Sequence, residues 1–244
     1  MLKYTWIRKT CIILFGLAVW QAVSLMIGNS IILTGPIAVL RSLLSQLMEG
    51  TFWKTILYSF GRITIGFLLS FLLGILLGSL AYRFPLLKEV LEPVVSLMKS
   101  IPVASFIILA LIWIGSKNLA VLVAFLIVFP ILYINTTAGL ESTDPKLMEM
   151  AQVFRFPLYQ RVRYIYRPAL IPYLVSACRV TIGMSWKSGI AAEVIGVPTS
   201  SIGEQLYLSK IYLNTADLLA WTIVIIAVSV AFEKLFLSLL KRLG

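Results

Sequence analysis

Few side chains here have any capacity for chemistry, and several stand where water is scarce. The run 169–195 is apolar enough to cross a bilayer, yet it carries Arg179, Lys187 and Glu193. An ionisable group within hydrocarbon costs about 2.5–3.5 kcal/mol on insertion scales. These three are therefore expected to face a cavity or another helix rather than lipid. Lys187 lies near the middle of the run, and Arg179, Ser185 and Glu193 are the other polar candidates for a route through a bundle. The alternative for Lys187 is an ion pair with Glu193, or snorkelling to the interface. Lys99 stands just before Ile101-Pro102, where a helix must break because proline donates no hydrogen bond and restricts the residue before it. Broken helices often line a transport route; a cytoplasmic interfacial lysine is the equal alternative.

None of this is enzyme chemistry. The chain has no histidine, so the commonest general base and metal ligand is missing. It has no G-x-x-x-x-G-K-[ST] phosphate loop and no clustered acidic pair. Cys11 and Cys178 both sit in apolar stretches and read as small packing residues.

The elements that must position these groups follow from composition. Hydrophobic residues make up 60% of the 244 and charged residues only 13%, with a mean hydropathy of +0.97. A soluble domain of this length is nearer half apolar and a quarter charged, so lipid is the expected solvent for much of the surface. Apolar runs place spans at about 11–28, 60–82, 88–115, 119–138, 169–195 and 218–237, in one membrane domain. The first follows Lys3, Arg8 and Lys9 and is long for a signal peptide, with no small-residue cleavage site after it. It is read as an uncleaved span. Residues 36–48 form an amphipathic stretch too short to cross. Gly74 and Gly78 make a small-xxx-small pair suited to close helix approach. The 88–115 run is interrupted at Ser100-Ile101-Pro102, where Ser100 could cap a new helix.

The net charge of +11 would raise the question of nucleic acid in a soluble protein. Its distribution answers for topology instead. With the amino terminus inside, the inner segments hold Lys3, Arg8, Lys9, Arg83, Lys88, Lys146, Arg155, Arg161, Arg163, Arg167, Lys241 and Arg242. The outer ones hold Arg41, Lys54, Lys117 and Lys210. The positive-inside rule then puts both termini and the 139–167 loop in the cytoplasm.

That loop is the long polar segment between spans. Glu149-Met150-Ala151-Gln152-Val153-Phe154 reads as a short helix. A basic, aromatic stretch follows, then Pro168-Ala169 and Pro172. The pattern is a compact helical knob joined to the fifth span through a Pro-punctuated turn. The order of Glu149, Ala151, Pro168-Ala169 and Pro172 resembles the "EAA" loop of permease subunits in bacterial ATP-binding-cassette importers. Ser59 to Arg62 with Gly66-Phe67, Ile101-Pro102-Val103-Ala104 before Trp113-Ile114-Gly115, and Trp186 with Ala192-Glu193 are similar to motifs of the nitrate/sulfonate/taurine branch. The likeness covers roughly residues 15–240. Arg155 departs from it, standing where that family has a glycine that allows a positive φ; keeping that conformation would cost roughly 1 kcal/mol.

The resemblance implies an all-α integral membrane protein of about six spans with the type I importer fold. It implies a place in a prokaryotic inner membrane, with a second permease copy, two ATPase subunits and an external substrate-binding protein as partners. ATP and magnesium would bind the partner ATPase, and this chain would need no cofactor. Glu149, Ala151, Gln152, Phe154 and Arg155 would dock the ATPase. Substrates in that branch are often anions, which Lys187 and Lys99 could attract. The alternatives are a permease of another importer branch or an ATP-independent secondary transporter.

Overall fold

In a computed structural model the chain is all-helical among the described residues, which are 2–242 for the backbone and 8–242 for side chains. Lys3 therefore lies outside the described side chains. The helices are α1 Leu2–Ile27, α2 Pro36–Leu47, α3 Gly50–Arg83, α4 Pro85–Ser100, α5 Val103–Glu141, α6 Pro145–Val153, α7 Leu158–Arg161, α8 Arg167–Gly196, α9 Ile202–Ile211 and α10 Thr215–Arg242. Helices are the natural solution for a chain in lipid, because each satisfies its own backbone groups. Five stretches of helix among the described residues are long and apolar enough to cross a membrane: Arg8–Ile27, Gly50–Arg83, Val103–Glu141, Leu158–Gly196 and Thr215–Arg242.

The expected 88–115 span is not a single helix. Its first part is α4; its second part is the first limb of α5, separated from α4 by Ile101-Pro102. The α5 helix is itself broken at Gly115, where φ is 71° and ψ is 175°. The chain reverses there, so the two limbs lie against each other. Ile107 and Ala110 pack with Leu119 and Val123, while Val95 of α4 packs with Phe129 and Tyr133 farther down the returning limb. The two halves of the interrupted run thus share one groove, end to end. Ser100 does not cap the second half: its hydroxyl donates to Ser96 O at 3.0 Å within α4.

The core is α3, α5 and α8, and small residues bring it together. A Cβ at Gly66 would stand 2.5 Å from the Val121 carbonyl oxygen, one at Gly74 2.7 Å from Leu132 Cβ, and one at Gly78 2.8 Å from Thr136 Cβ. The close approach expected of Gly74 and Gly78 is therefore made, against α5. Ser70 lies on the same face, and its hydroxyl hydrogen is shared between Gly66 O at 2.9 Å and Phe125 O at 3.1 Å, across the two helices. Phe60, Phe67 and Phe71 of α3 then meet Phe232 and Phe236 of α10, mostly edge to face.

Side-chain contacts define two ends. One holds Lys88 bonded to Glu141 at 2.8 Å and Tyr82 against Tyr166. The other holds α2, with Ser42 donating to Asp217 Oδ1 at 2.5 Å, and Thr215 donating to Ile31 O at 2.7 Å.

Replacing Gly66 by Ala is expected to lower the thermal midpoint of the purified protein in detergent, because the new methyl meets rigid backbone; overpacking of this kind costs about 1–3 kcal/mol. Gly61→Ala, on the same helix with nothing within 4 Å of the added methyl, should leave the midpoint unchanged or raise it. Equal behaviour of the two variants would show that the α3–α5 approach does not depend on the missing side chain.

Candidate functional site

The knob begins at Asp144, whose carboxylate caps α6 by accepting from Lys146 N at 2.9 Å, with Pro145 at the first helical position. Both choices suit a helix start. Ala151 is fully buried under the helix, while Glu149, Gln152, Phe154 and Arg155 are exposed. The helix ends in a Schellman turn. Phe156 N donates to Ala151 O at 2.9 Å, Arg155 N donates to Gln152 O at 3.1 Å, and Arg155 has φ +51°. The turn is thus not remade around the arginine; the left-handed conformation usually given to glycine is kept. Two bonds to orphan carbonyls offset a local cost of roughly 1 kcal/mol.

After Pro157 the chain turns back into helix, and Arg161 Nε donates to Phe156 O at 2.9 Å to fasten the corner. The expected Pro-punctuated turn at 168–172 is absent. Residues 158–196 run as one continuous helix through a π segment at Val162–Tyr166, where Arg167 N reaches back to Val162 O. The wider turn lies just ahead of Pro168, so the helix absorbs the missing donor and the ring without ending. The knob is therefore rigidly continuous with a spanning helix. Its outer surface is apolar: Val153 is 77% exposed, Phe154 70% and Leu158 75%, beside Tyr159 and Tyr164. Arg163 donates to the Tyr159 hydroxyl at 2.7 Å. Such a contiguous patch, rimmed by Glu149, Arg155 and Arg163, has the composition of a protein-docking surface.

Farther along α8 the polar candidates part company. Arg179 and Lys187 are exposed, two turns apart, on the face that also carries Gly183 and Ala191. Ser185 and Glu193 point the other way and are fully buried. Ser185 donates to Ile182 O within its own helix at 2.8 Å. The Lys187–Glu193 pair is not formed: the ion pair among the described residues is Lys88–Glu141. Six residues along a helix carry the second side chain to the far side of the cylinder. Glu193 instead accepts from Ser59 Oγ at 2.7 Å and from Gly203 N at 3.3 Å. Lys99, Ser100 and Ile101-Pro102 are all exposed at the break between α4 and α5.

The residues 70–243 match the family model described as "Binding-protein-dependent transport system inner membrane component". The chain belongs to this family. Relatives include a Bacillus subtilis (strain 168) permease named for aliphatic sulfonates transport, SsuC, which is 26% identical over 243 residues, 98% of this chain and 87% of that protein. The taurine transport system permease protein TauC of Escherichia coli (strain K12) is 25% identical over 230 residues, 92% of this chain and 83% of its own length. The nitrate import permease protein NrtB of Synechococcus elongatus is 27% identical, covering 76% and 70%. The protein is thus a permease subunit of an ATP-binding-cassette importer, a multi-pass membrane component and not an enzyme. An ATPase and a substrate-binding protein are its implied partners.

Sequence reading did not give Ser59 and Arg62 a role, although it noted their motif. The partner of Ser59, Glu193, lies 134 residues away in the chain, and no local pattern marks such a contact. The exposed apolar patch at Leu158 and Tyr159 was read only as basic and aromatic.

Because Arg155 keeps a left-handed backbone, Arg155→Gly should relieve up to about 1 kcal/mol. Amide exchange at Phe156 should slow by up to roughly fivefold. Faster exchange would show that the arginine side chain itself holds the turn.

Proposed function

We propose that two copies of this permease form the translocation unit for a small oxyanion, driven by two ATPase subunits that grip the knobs. The observation that carries the substrate class is the pair Arg179 and Lys187. Both are exposed on one face of a spanning helix whose opposite face is buried. Cations left open to lipid would be costly; facing the same pair on a second copy across a wet cavity, they are solvated and serve an anion. Lys99, at the exposed break beside free amides of the α5 amino terminus, adds a third positive group at mid-bundle. The relatives are named for sulfonates, taurine and nitrate, and each of these compounds carries a sulfonate or nitrate oxyanion.

The basic residues cluster at the knob end, so this end is cytoplasmic by the positive-inside rule, with both termini inside. The knob then meets the ATPase through Phe154, Leu158 and Tyr159, with Ala151 packed beneath and Glu149, Gln152 and Arg155 at the rim. Because α7 and α8 are continuous, displacement of the knob is transmitted along the helix that bears Arg179 and Lys187. ATP and magnesium belong to the ATPase, and the external binding protein delivers substrate at the opposite end.

Two tests address the coupling and the path. Phe154→Asp should cut co-purification of the ATPase by about tenfold, as loss of a buried aromatic anchor does, while leaving insertion intact; undiminished co-purification would remove the patch from docking. In proteoliposomes, Lys187→Ala should lower ATP-driven anion uptake several-fold without changing ATPase association, and uptake that ignored ATP would overturn the importer reading.

A further inference from the structure

Glu193 is fully buried, and the bundle around it is built to hold a carboxylate. Its Oε2 accepts two hydrogen bonds, from Ser59 on α3 and from Gly203 N on α9. Ser59 is in turn the acceptor for Ile202 N at 2.8 Å. Three elements are tied by one side chain and one hydroxyl. The α9 backbone lies directly on α8 at this point: a Cβ at Gly203 would collide with Glu193 Cβ and with the α8 backbone behind it. The amino terminus of α9 is thus seated on Glu193 itself, with Ser201 and Glu204 closing its first turn.

The other half of the arrangement is incomplete. Oε1 of Glu193 is buried with no partner. So is Nη1 of Arg62, one turn from Ser59 on α3. Arg62 stands one turn along α3 from Ser59, which bonds Glu193, but its guanidinium carbon lies over the Tyr58 ring, 3.7 Å from the centroid, and makes no ion pair with Glu193. Arg62 is half-buried, and arginine keeps its charge, so a guanidinium nitrogen shut away from water without an acceptor is costly. Two opposite charges held apart, each with a free atom, describe one of two discrete arrangements rather than a settled core.

We infer that Glu193 is a positioning residue working as a two-state latch: it pins α9 to α3 and α8 in the state seen here, and Arg62 captures its free oxygen when α9 lifts away. The pinned state keeps the outer end of the bundle closed. The captured state exchanges the Ile202 and Gly203 amide bonds for a charge-assisted pair, so the Glu193 carboxylate has partners in both positions and fewer in between. That is the requirement for a bistable element. The inference rests on the importer reading for the direction of transport.

Ser209 of α9 reports the position of this helix. It is 7% exposed and lines a cavity of about 410 Å3 between α2, α3, α9 and α10. In the assembled complex with Cys11 and Cys178 replaced, Ser209→Cys is labelled with an impermeant maleimide, without nucleotide and after trapping with ATP and vanadate. With Glu193 and Arg62 intact, trapping should raise the labelling rate by about tenfold, the size of a modest population shift. Glu193→Gln keeps an oxygen for Ser59 and Gly203 but offers Arg62 no charge. It should label slowly at rest and lose most of the trapped increase. Arg62→Gln should behave alike, and Arg62→Lys should restore part of the increase. Glu193→Ala, or Ser59→Ala should the former fail to insert, removes the pin and should label fast without nucleotide. A full trapped increase in both Glu193→Gln and Arg62→Gln overturns the capture. Slow resting labelling in the pin variants overturns the pin. If the parent complex neither transports with ATP nor changes its labelling on trapping, it is the importer reading that fails.

Discussion

The close approach of α3 to α5 is the constraint on which the other features hang. In lipid there is little hydrophobic drive between helices, so association depends on van der Waals contact and buried hydrogen bonds. Three glycines spaced along α3 remove the side chains that would hold α5 away, and Ser70 supplies a hydrogen bond where the backbones meet. Once these two helices touch, α8 has a groove to enter, with Gly189 against Ile63 and Gly139 against Leu170 and Tyr173. The peripheral helices α1, α2 and α10 settle around that triad.

The triad gives α8 two faces with different duties. Its buried face is fixed by Cys178, Ile182, Trp186 and Ile190 in the core, and the face so left over carries Arg179 and Lys187. Because the same helix runs without interruption into the knob, through a π segment rather than a hinge, a push at one end is carried to the other. A turn at 168–172 would have absorbed such a push. The Schellman turn at Arg155 does similar service for α6: it reverses the chain within a few residues and keeps the exposed aromatic surface in a single patch.

The far end of α8 is finished differently. Val197 takes a left-handed conformation with φ 44°, its amide bonded to Glu193 O at 2.8 Å, and the chain doubles back so that α9 rests on the helix it has just left. The Glu193 carboxylate at that fold satisfies the Gly203 amide, and Ser59 satisfies that of Ile202. The same carboxylate could be placed there only because α3 brings Ser59 to it.

Local pattern alone settled the solvent, the class and the order of elements. Apolar runs near twenty residues long, basic residues enriched in alternate segments, the break at Pro102 and the small-residue spacing at Gly74 and Gly78 were all legible, because each reports a property of a few neighbouring residues. The knob was legible for the same reason, but whether Arg155 keeps or remakes the turn was not; the structure shows the left-handed conformation kept. Tertiary structure decided what no short window contains: that Gly115 reverses the chain and lays the broken run against its return limb, that the helix continues past Pro168, and that Lys187 and Glu193 lie on opposite faces. The partners of Glu193 are the Ser59 hydroxyl and the Gly203 amide of α9, and long-range pairing of this kind follows from which helices pack. Packing is set by shape summed over the whole bundle, and six residues of helix rotation were enough to separate two charges that the linear order placed side by side.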